Sequence, residues 1–492
     1  MSLLPRVAWL GISVEDQYTL LAKFGHVTRE AVFAAISEGE IARALEWAEQ
    51  GRSIVWQNLL SLRVPLDEPL HGNPELFKLL TRLKAISRQL EHTKGAWTLS
   101  DGLLAHETED RMKLAPERDE LINMIQHMPG QENFMKPNSL HHLAPAAREG
   151  PIVFINLLWT CSALVLLTDD QGIGHVVDIP LERVTLKKAE HLSERKAQVN
   201  GGNKDVDAVF KDILHTLWTD YVQPIVDGLG YSVAEQRPPR LWWCTAGPLA
   251  FLPIHAAGRY DTAAKVGDKL SDYVVSSYTP SIATLLDQSH PSPPESPRIL
   301  TVAVSDTPGM ALQSTLKEVE SIHHLAATMH TVGLKNKEAT KNRVLDELGQ
   351  CNWAHLACHG VQVGGKPMSS GLILTDKTKL ELSEIVKTKL PAAEFVYLSA
   401  CETAVGDQGI PEESAHLAAG MLFAGFRGAI ATMWAIKDSV APRVAEDVYS
   451  HMLKDGKADQ EEAVYGLHEA VRKLRVGGET FESWVPFIHI GR

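Results

Sequence analysis

The chain has 492 residues, 44% of them apolar and 22% charged, a composition that excludes a disordered, collagen-like or disulfide-scaffold protein. Its 48 basic and 61 acidic side chains leave a net charge of −13, which argues against nucleic acid or an anionic membrane as partner, because phosphate binding needs a basic field. Five cysteines, an odd number without a CxxC pair, fit free thiols in a reducing, cytoplasmic compartment.

At roughly 150 residues per domain the length predicts about three domains. The opening MSLLPRVAWLGIS lacks the charged and long apolar regions of a secretory leader. The first 130 residues read as helices. Small and apolar residues recur at three and four spacing through 30–63, and Gly25, Gly39 and Gly51 punctuate them. Leu76, Leu79, Leu80, Leu83, Ile86 and Leu90 form one apolar stripe. The pattern suggests one or two degenerate tetratricopeptide-like hairpins, too few for an independent solenoid, so this arm (1–147) should lean on the rest of the chain.

From Gly150 the texture changes to strands at 151–158, 161–168 and 173–179, a helix at 204–222, and strand, turn, strand and a helix start over 240–258. Two stretches imitate membrane spans. The first, 150–168, is split by Asn156, Thr160 and Ser162, and the second, 415–436, by Gly425, Arg427 and Gly428. Both read better as short elements. A Pro-rich stretch at 290–297 marks a boundary, closing a companion region of 148–290. Beyond it, over 298–492, strands alternate with helices: strands at 298–305, 329–333, 352–358, 394–400 and 428–436, helices at 312–327, 338–348, 412–424, 438–453 and 459–474, and a short strand pair near 371–382. This is the pattern of an α/β domain, a mostly parallel sheet with helices on both faces. In such sheets chemistry gathers outside the carboxyl ends of the strands.

That rule singles out His359, just past strand 352–358, and Cys401, just past strand 394–400. A thiol and an imidazole delivered to neighbouring strand tips suit a nucleophile and its base. The amides of Gly360 and Cys401 would suit an oxyanion hole. Alternation along the strand turns Cys358 away from His359 and into the core. A zinc site built on His355, His359 and Cys358 or Cys351 has the wrong spacing, so neither a metal nor a cofactor is expected.

The segments WAHLACHG (353–360), YLSACETAVGD (397–407) and LAAGMLFAGFRGAIATMWAIKDSVA (417–441) resemble the CHAT domain, a caspase-like group of cysteine peptidases related to separase. LWWCTAGPLAFLPIHAAG (241–258) and WVPFIHIG (484–491) resemble its fungal branch, usually preceded by tetratricopeptide repeats. ALEWAEQGRSIVWQNLLSLR (44–63) resembles the junction between repeats and CHAT region. The resemblance implies a caspase-like fold, with 148–290 a degenerate companion packed against the catalytic part and Cys244 in its core. It implies a cysteine endopeptidase with His359 as catalytic histidine and Cys401 as nucleophile, without an obligatory acidic third member, so that Glu402 and Asp407 carry no catalytic role. His355 is then structural. In separase-like members an Asp after the strand that follows the nucleophile helix receives a basic side chain. Asp438 stands at that place, with Asp306 the second candidate, although Asp438 could instead cap a helix at 439–453. The expected partners are a protein substrate and a regulatory protein held by the helical arm. The rival readings are a catalytically silent scaffold working through that arm, and a ligase using the same thioester chemistry.

Overall fold

A computed structural model describes residues 8–62, 73–92, 104–132, 134–199, 205–234, 236–286, 296–307, 311–364, 366–388, 390–399 and 416–492. The Pro-rich stretch at 290–295, and Cys401, Glu402 and Asp407, lie outside the described residues.

The arm is helical, as the spacing predicts. Helix α1 (Val14–Ser37) starts where the Ser13 hydroxyl accepts the Asp16 amide at 3.1 Å, with Glu15 and Asp16 in the first turn complementing the helix dipole. Gly39, at φ +76°, turns the chain into α2 (Ile41–Gln50). Helices α3 (Ile54–Ser61), α4 (Pro74–His92) and α5 (Leu104–Gln126) come next. On α4 the predicted stripe is the inner face: Leu76, Leu80, Leu83, Ile86 and Leu90 are buried.

Fourteen strands among the described residues build two sheets. The large one holds eleven: β1 (Ile152–Asn156), β2 (Ser162–Thr168), β3 (Gly174–Pro180), β4 (Arg240–Cys244), β5 (Val275–Tyr278), β6 (Ile299–Ala303), β7 (Thr331–Lys335), β8 (Trp353–Ala357), β12 (Phe395–Leu398), β13 (Gly428–Thr432) and β14 (Phe487–Gly491). Their order across the sheet is β3-β2-β1-β4-β5-β14-β13-β12-β8-β6-β7. Strands β1, β4, β6, β8, β12 and β13 are buried at every position, which is why their sequences are mostly apolar, with at most one polar residue in each. Between the strands lie, among other helices, α6 (Leu186–Val199), α7 (Thr315–Leu325), α8 (Leu417–Ala424), α9 (Ala441–Met452) and α10 (Ala463–Val476). The small sheet is β9 (His359–Val361), β10 (Gly371–Ile373) and β11 (Lys379–Glu381), in the order β11-β10-β9.

The C-terminal strand joins the halves. β14 runs antiparallel to β13, from Gly428↔Gly491 to Thr432↔Phe487, and parallel to β5 at Ile490↔Tyr278. The strands of 148–290 therefore extend the same sheet. The chain turns direction at the β13–β14 seam, so the carboxyl ends of β13, β12, β8 and β6 lie at one end of the sheet, and those of β1, β4 and β5 at the other.

One predicted strand is replaced. After β4 the chain forms 3-10 turns at Gly247–Phe251 and Ile254–Ala256, because Pro248 and Pro253 cannot donate to a ladder. The two stretches that imitate membrane spans are β1 with β2, and α8 with β13. No helix among the described residues is long and apolar enough to cross a membrane.

The arm is bonded into the sheet. Val32, Ala35, Ala44, Leu45 and Ala48 pack with Ile152, Phe154, Leu164, Leu166 and Trp242 on one face of β1, β2 and β4. Glu49 and Arg52, both buried, grip the loop after β5. The Glu49 carboxylate accepts the amides of Ile282 and Ala283 at 2.8 and 2.9 Å, and Arg52 donates to the carbonyls of Pro280, at 3.0 Å, and Thr245. Burial raises the Glu49 carboxyl against the opposing pull of those amides and the Arg52 charge. If the arm were a separable adaptor, a chain beginning near Glu149 would stay soluble. Such a chain would instead bare the apolar face of β1, β2 and β4, and should aggregate. In the full chain, Arg52→Met leaves two carbonyls and a buried carboxylate without their cation. It should lower stability by about 3–5 kcal/mol, read from the midpoint of urea denaturation.

Candidate active site

The site is built on a parallel pair. β8 and β12 are direct neighbours, in the register Phe395↔Trp353, Val396↔Ala354, Tyr397↔His355 and Leu398↔Leu356. Position 359 stands four residues beyond His355, and position 401 four beyond Tyr397. The two predicted chemical residues therefore follow from paired positions at the same end of the sheet. Ser399 is buried, and the described chain pauses there; Cys401 lies outside the described residues.

His359 leaves the large sheet for the small one. It pairs with Ile373, Gly360 pairs with Leu372, and Val361 with Gly371, all antiparallel. A Cβ at Gly371 would come within 2.2 Å of the Leu380 carbonyl, so only glycine allows β10 and β11 to close this tightly. The buried Ser370 hydroxyl accepts the Val363 amide at 2.9 Å. His359 and Gly360 are half-buried, where a substrate could reach them. Cys358, one residue earlier, is wholly buried and its thiol is pushed up to about 12 by burial alone, which bears out its reading as core. Cys244 and Cys351 are buried too, with thiols pushed up to about 11 and about 12.

The two carboxylate candidates flank the pair. Asp306 is exposed in the loop beyond β6, next to the β8 side, where Ser305 is held by the Asn336 side chain at 2.8 Å from its amide. Asp438 comes after β13, on the β12 side. It is half-buried, and one carboxylate oxygen accepts the Ser314 amide at 3.0 Å, at the start of α7. Helix α9 starts at Ala441 without a side-chain cap, so Asp438 caps the neighbouring helix and not its own. Its other oxygen has no protein partner among the described residues. Trp434, between β13 and Asp438, is buried with its indole N–H unpartnered among the described residues, and Lys196 of α6 sits 4.4 Å from the centre of its ring. The segment 148–290 thus reaches the carboxyl end of β13 through Lys196.

His355 is wholly buried. Its Nε2 lies 3.1 Å from a carboxylate oxygen of Glu318 on α7, also buried, and its ring stacks on Tyr397 at 4.8 Å. Neither Glu318 nor Tyr397 stands out in the sequence, where one looks like a solvated helix residue and the other like a plain strand aromatic. Among the described residues no three His, Cys, Asp or Glu side chains gather as metal ligands would.

At pH 8 the native protein should leave Cys244, Cys351 and Cys358 unmodified by a small alkylating reagent. A thiol near 11–12 is ionised at pH 8 to only about one part in a thousand or less. Peptide mass mapping should find all three alkylated only after unfolding.

A family model described as the CHAT domain matches residues 211–492. A comparison with curated proteins finds no match. Among solved structures, the chain is similar to a chain in the crystal structure of the Saccharomyces cerevisiae separase-securin complex, with a TM-score of 0.50 and 10% identity, over 97% of this chain and 40% of that one. It therefore spans about two fifths of that neighbour's length. A second similarity is to the complex of Porphyromonas gingivalis RgpB pro- and mature domains, with a TM-score of 0.35 and 10% identity, over 62% of this chain and 75% of that one.

Proposed function

The chain belongs to the CHAT domain family, and from that premise we propose that it is a cytoplasmic cysteine endopeptidase that cleaves a protein partner after a basic residue, with His359 and Cys401 as its dyad. The observation that carries the reading is the parallel register of β8 and β12, which aligns the approaches to both residues. The fold shared with the separase-securin neighbour supports the class of chemistry without naming a substrate.

In this mechanism the Cys401 sulfur attacks the scissile carbonyl as the thiolate. His359 takes the thiol proton and passes it to the leaving amine, giving a thioester, and then draws a proton from the water that hydrolyses it. The amides of Gly360 and Cys401 are the donors proposed for the oxyanion, each worth about 3–4 kcal/mol where such donors have been removed. The half-buried carboxylate of Asp438, with one oxygen unpartnered among the described residues, is the proposed acceptor of an Arg side chain; Asp306 is the second candidate. The division into arm (1–147), companion (148–290) and catalytic part (298–492) is part of the same proposal. So is a role for the arm in holding the substrate or a regulatory protein.

Cys401→Ala should abolish cleavage of a protein or peptide substrate while shifting stability by no more than about 1–2 kcal/mol. Full activity in that variant would leave the silent-scaffold reading in its place, with cleavage due to a contaminant. A peptide product joined to a second amine, seen by mass, would favour ligation.

Asp438→Asn separates specificity from structure. Asn keeps an oxygen for the Ser314 amide, so α7 should stay capped. The value of kcat/KM for Arg substrates should fall by about 2–4 kcal/mol in transition-state terms, and that for neutral substrates should change little. A wild-type preference for acidic or aliphatic residues in a peptide library would overturn the basic pocket.

A further inference from the structure

Behind the site lies a buried polar cluster that the mechanism does not use. His355, on β8, is enclosed by Glu318 from α7, Tyr397 from β12 and Tyr449 from α9. His355 and Tyr397 stack at 4.8 Å, and Tyr449 lies at 5.6 Å from the imidazole and 6.2 Å from Tyr397. His355 is 0% and Glu318 1% exposed. The pair is close, at 3.1 Å, yet its approach is too oblique for a hydrogen bond. Among the described residues, both His355 nitrogens, that Glu318 oxygen and the hydroxyls of Tyr397 and Tyr449 are buried without hydrogen-bond partners.

Such a cluster is a poor way to gain stability. Burying an ion pair takes two charges out of water, and apolar side chains of similar volume commonly do as well or better. Orphaned buried polar atoms call for a reason in register or function. Here the placement supplies one. The row Gly333, Thr301, His355, Tyr397 runs across β7, β6, β8 and β12 as successive register partners. Helix α7 is fixed to that row twice: by Glu318 against His355, and by His323, whose Nε2 is 2.8 Å from the Thr301 hydroxyl. A Cβ at Gly333 would come within 2.8 Å of the His323 ring, so the row is shaped to admit it. One turn before Glu318, the start of α7 is tied to Asp438. The two strands that share the His355–Tyr397 contact lead, four residues later each, to His359 and Cys401.

We propose that Glu318 and His355 are a positioning pair that fixes α7 over the β8–β12 seam and holds His355 against Tyr397, so keeping the two strands in the register that aligns the dyad, at a net expense in stability. The proposal rests on the peptidase reading above. A one-residue slip between the two strands would turn Tyr397 away from His355 and separate the dyad by a full residue step, and an apolar cluster would tolerate a slip that a directed polar contact does not.

The test removes both partners. In the double variant Glu318→Leu/His355→Phe the cluster becomes apolar, so the thermal midpoint should equal or exceed that of the wild type. Turnover should nevertheless fall by about tenfold or more, with KM within about twofold, because alignment acts on the chemical step. Glu318→Gln, which keeps volume and removes charge, is read in parallel and should lose turnover in the same way; it decides the matter alone if the double variant does not fold. Wild-type turnover in a folded variant of either kind would overturn the proposal, as would a loss of turnover in the double variant that merely tracks a loss of stability. Wild type and Cys401→Ala are measured beside them. If those two cleave equally, the peptidase reading fails and takes this proposal with it; if only the wild type cleaves, any failure belongs to the positioning pair.

Discussion

Parallel pairing between β8 and β12 is the constraint on which the rest turns. Each strand is short, five and four residues, and buried throughout, so it holds its place by apolar contact on both faces and by its neighbours β6 and β13. Two consequences come from one register. The chain beyond β8 peels away into the small sheet, where Gly371 permits the closure that holds His359. The chain beyond β12 passes through the segment that carries Cys401 and returns as α8, whose residues are all buried.

The remainder of the molecule buttresses that end of the sheet. α8 packs so closely that a Cβ at Gly420 would meet Leu382 at 2.0 Å, and its Phe423 stacks on the arm's Trp56. The arm is in turn fastened to the companion strands by Glu49 and Arg52. β14, the last strand in the sequence, sits in the middle of the sheet and fuses companion and catalytic strands into one body. The segments 1–147, 148–290 and 298–492, distinguishable by sequence texture, are thus packed together where they are described, and a change in the first has packed side chains through which to reach α8.

Much of this is legible in the sequence because buried parallel strands leave an unmistakable trace. ILTVA, WAHLA, FVYL and GAIAT read as strands at once, and the rule that chemistry gathers at their carboxyl ends picks out positions 359 and 401. Short strands without an apolar run, β5 and β9, do not announce themselves, since tertiary pairing and not propensity makes them strands. β14 is visible only as a family signature, and nothing local says that a terminal segment pairs centrally. Asp438 falls after its strand as expected, but it caps α7 and not the helix next in the chain, because a cap to a neighbouring element has no sequence spacing. Glu318 escapes notice for a related reason: on an amphipathic helix a carboxylate is normally solvated, and only the packing of α7 on β8 turns it inward. The segment 44–63, noticed as a junction motif, has a physical meaning once the fold is known, since it holds Glu49, Arg52 and Trp56.

The central claim, that Cys401 is a nucleophile served by His359, is tested most directly with a peptidyl acyloxymethyl ketone ending in Arg, a reagent that alkylates a thiol seated against a bound peptide. Intact mass and then peptide mapping should show a single adduct on Cys401 in the native protein, formed at least about a hundredfold more slowly in His359→Ala. An adduct on another cysteine, or labelling of Cys401 at the same rate without the imidazole, would contradict the account.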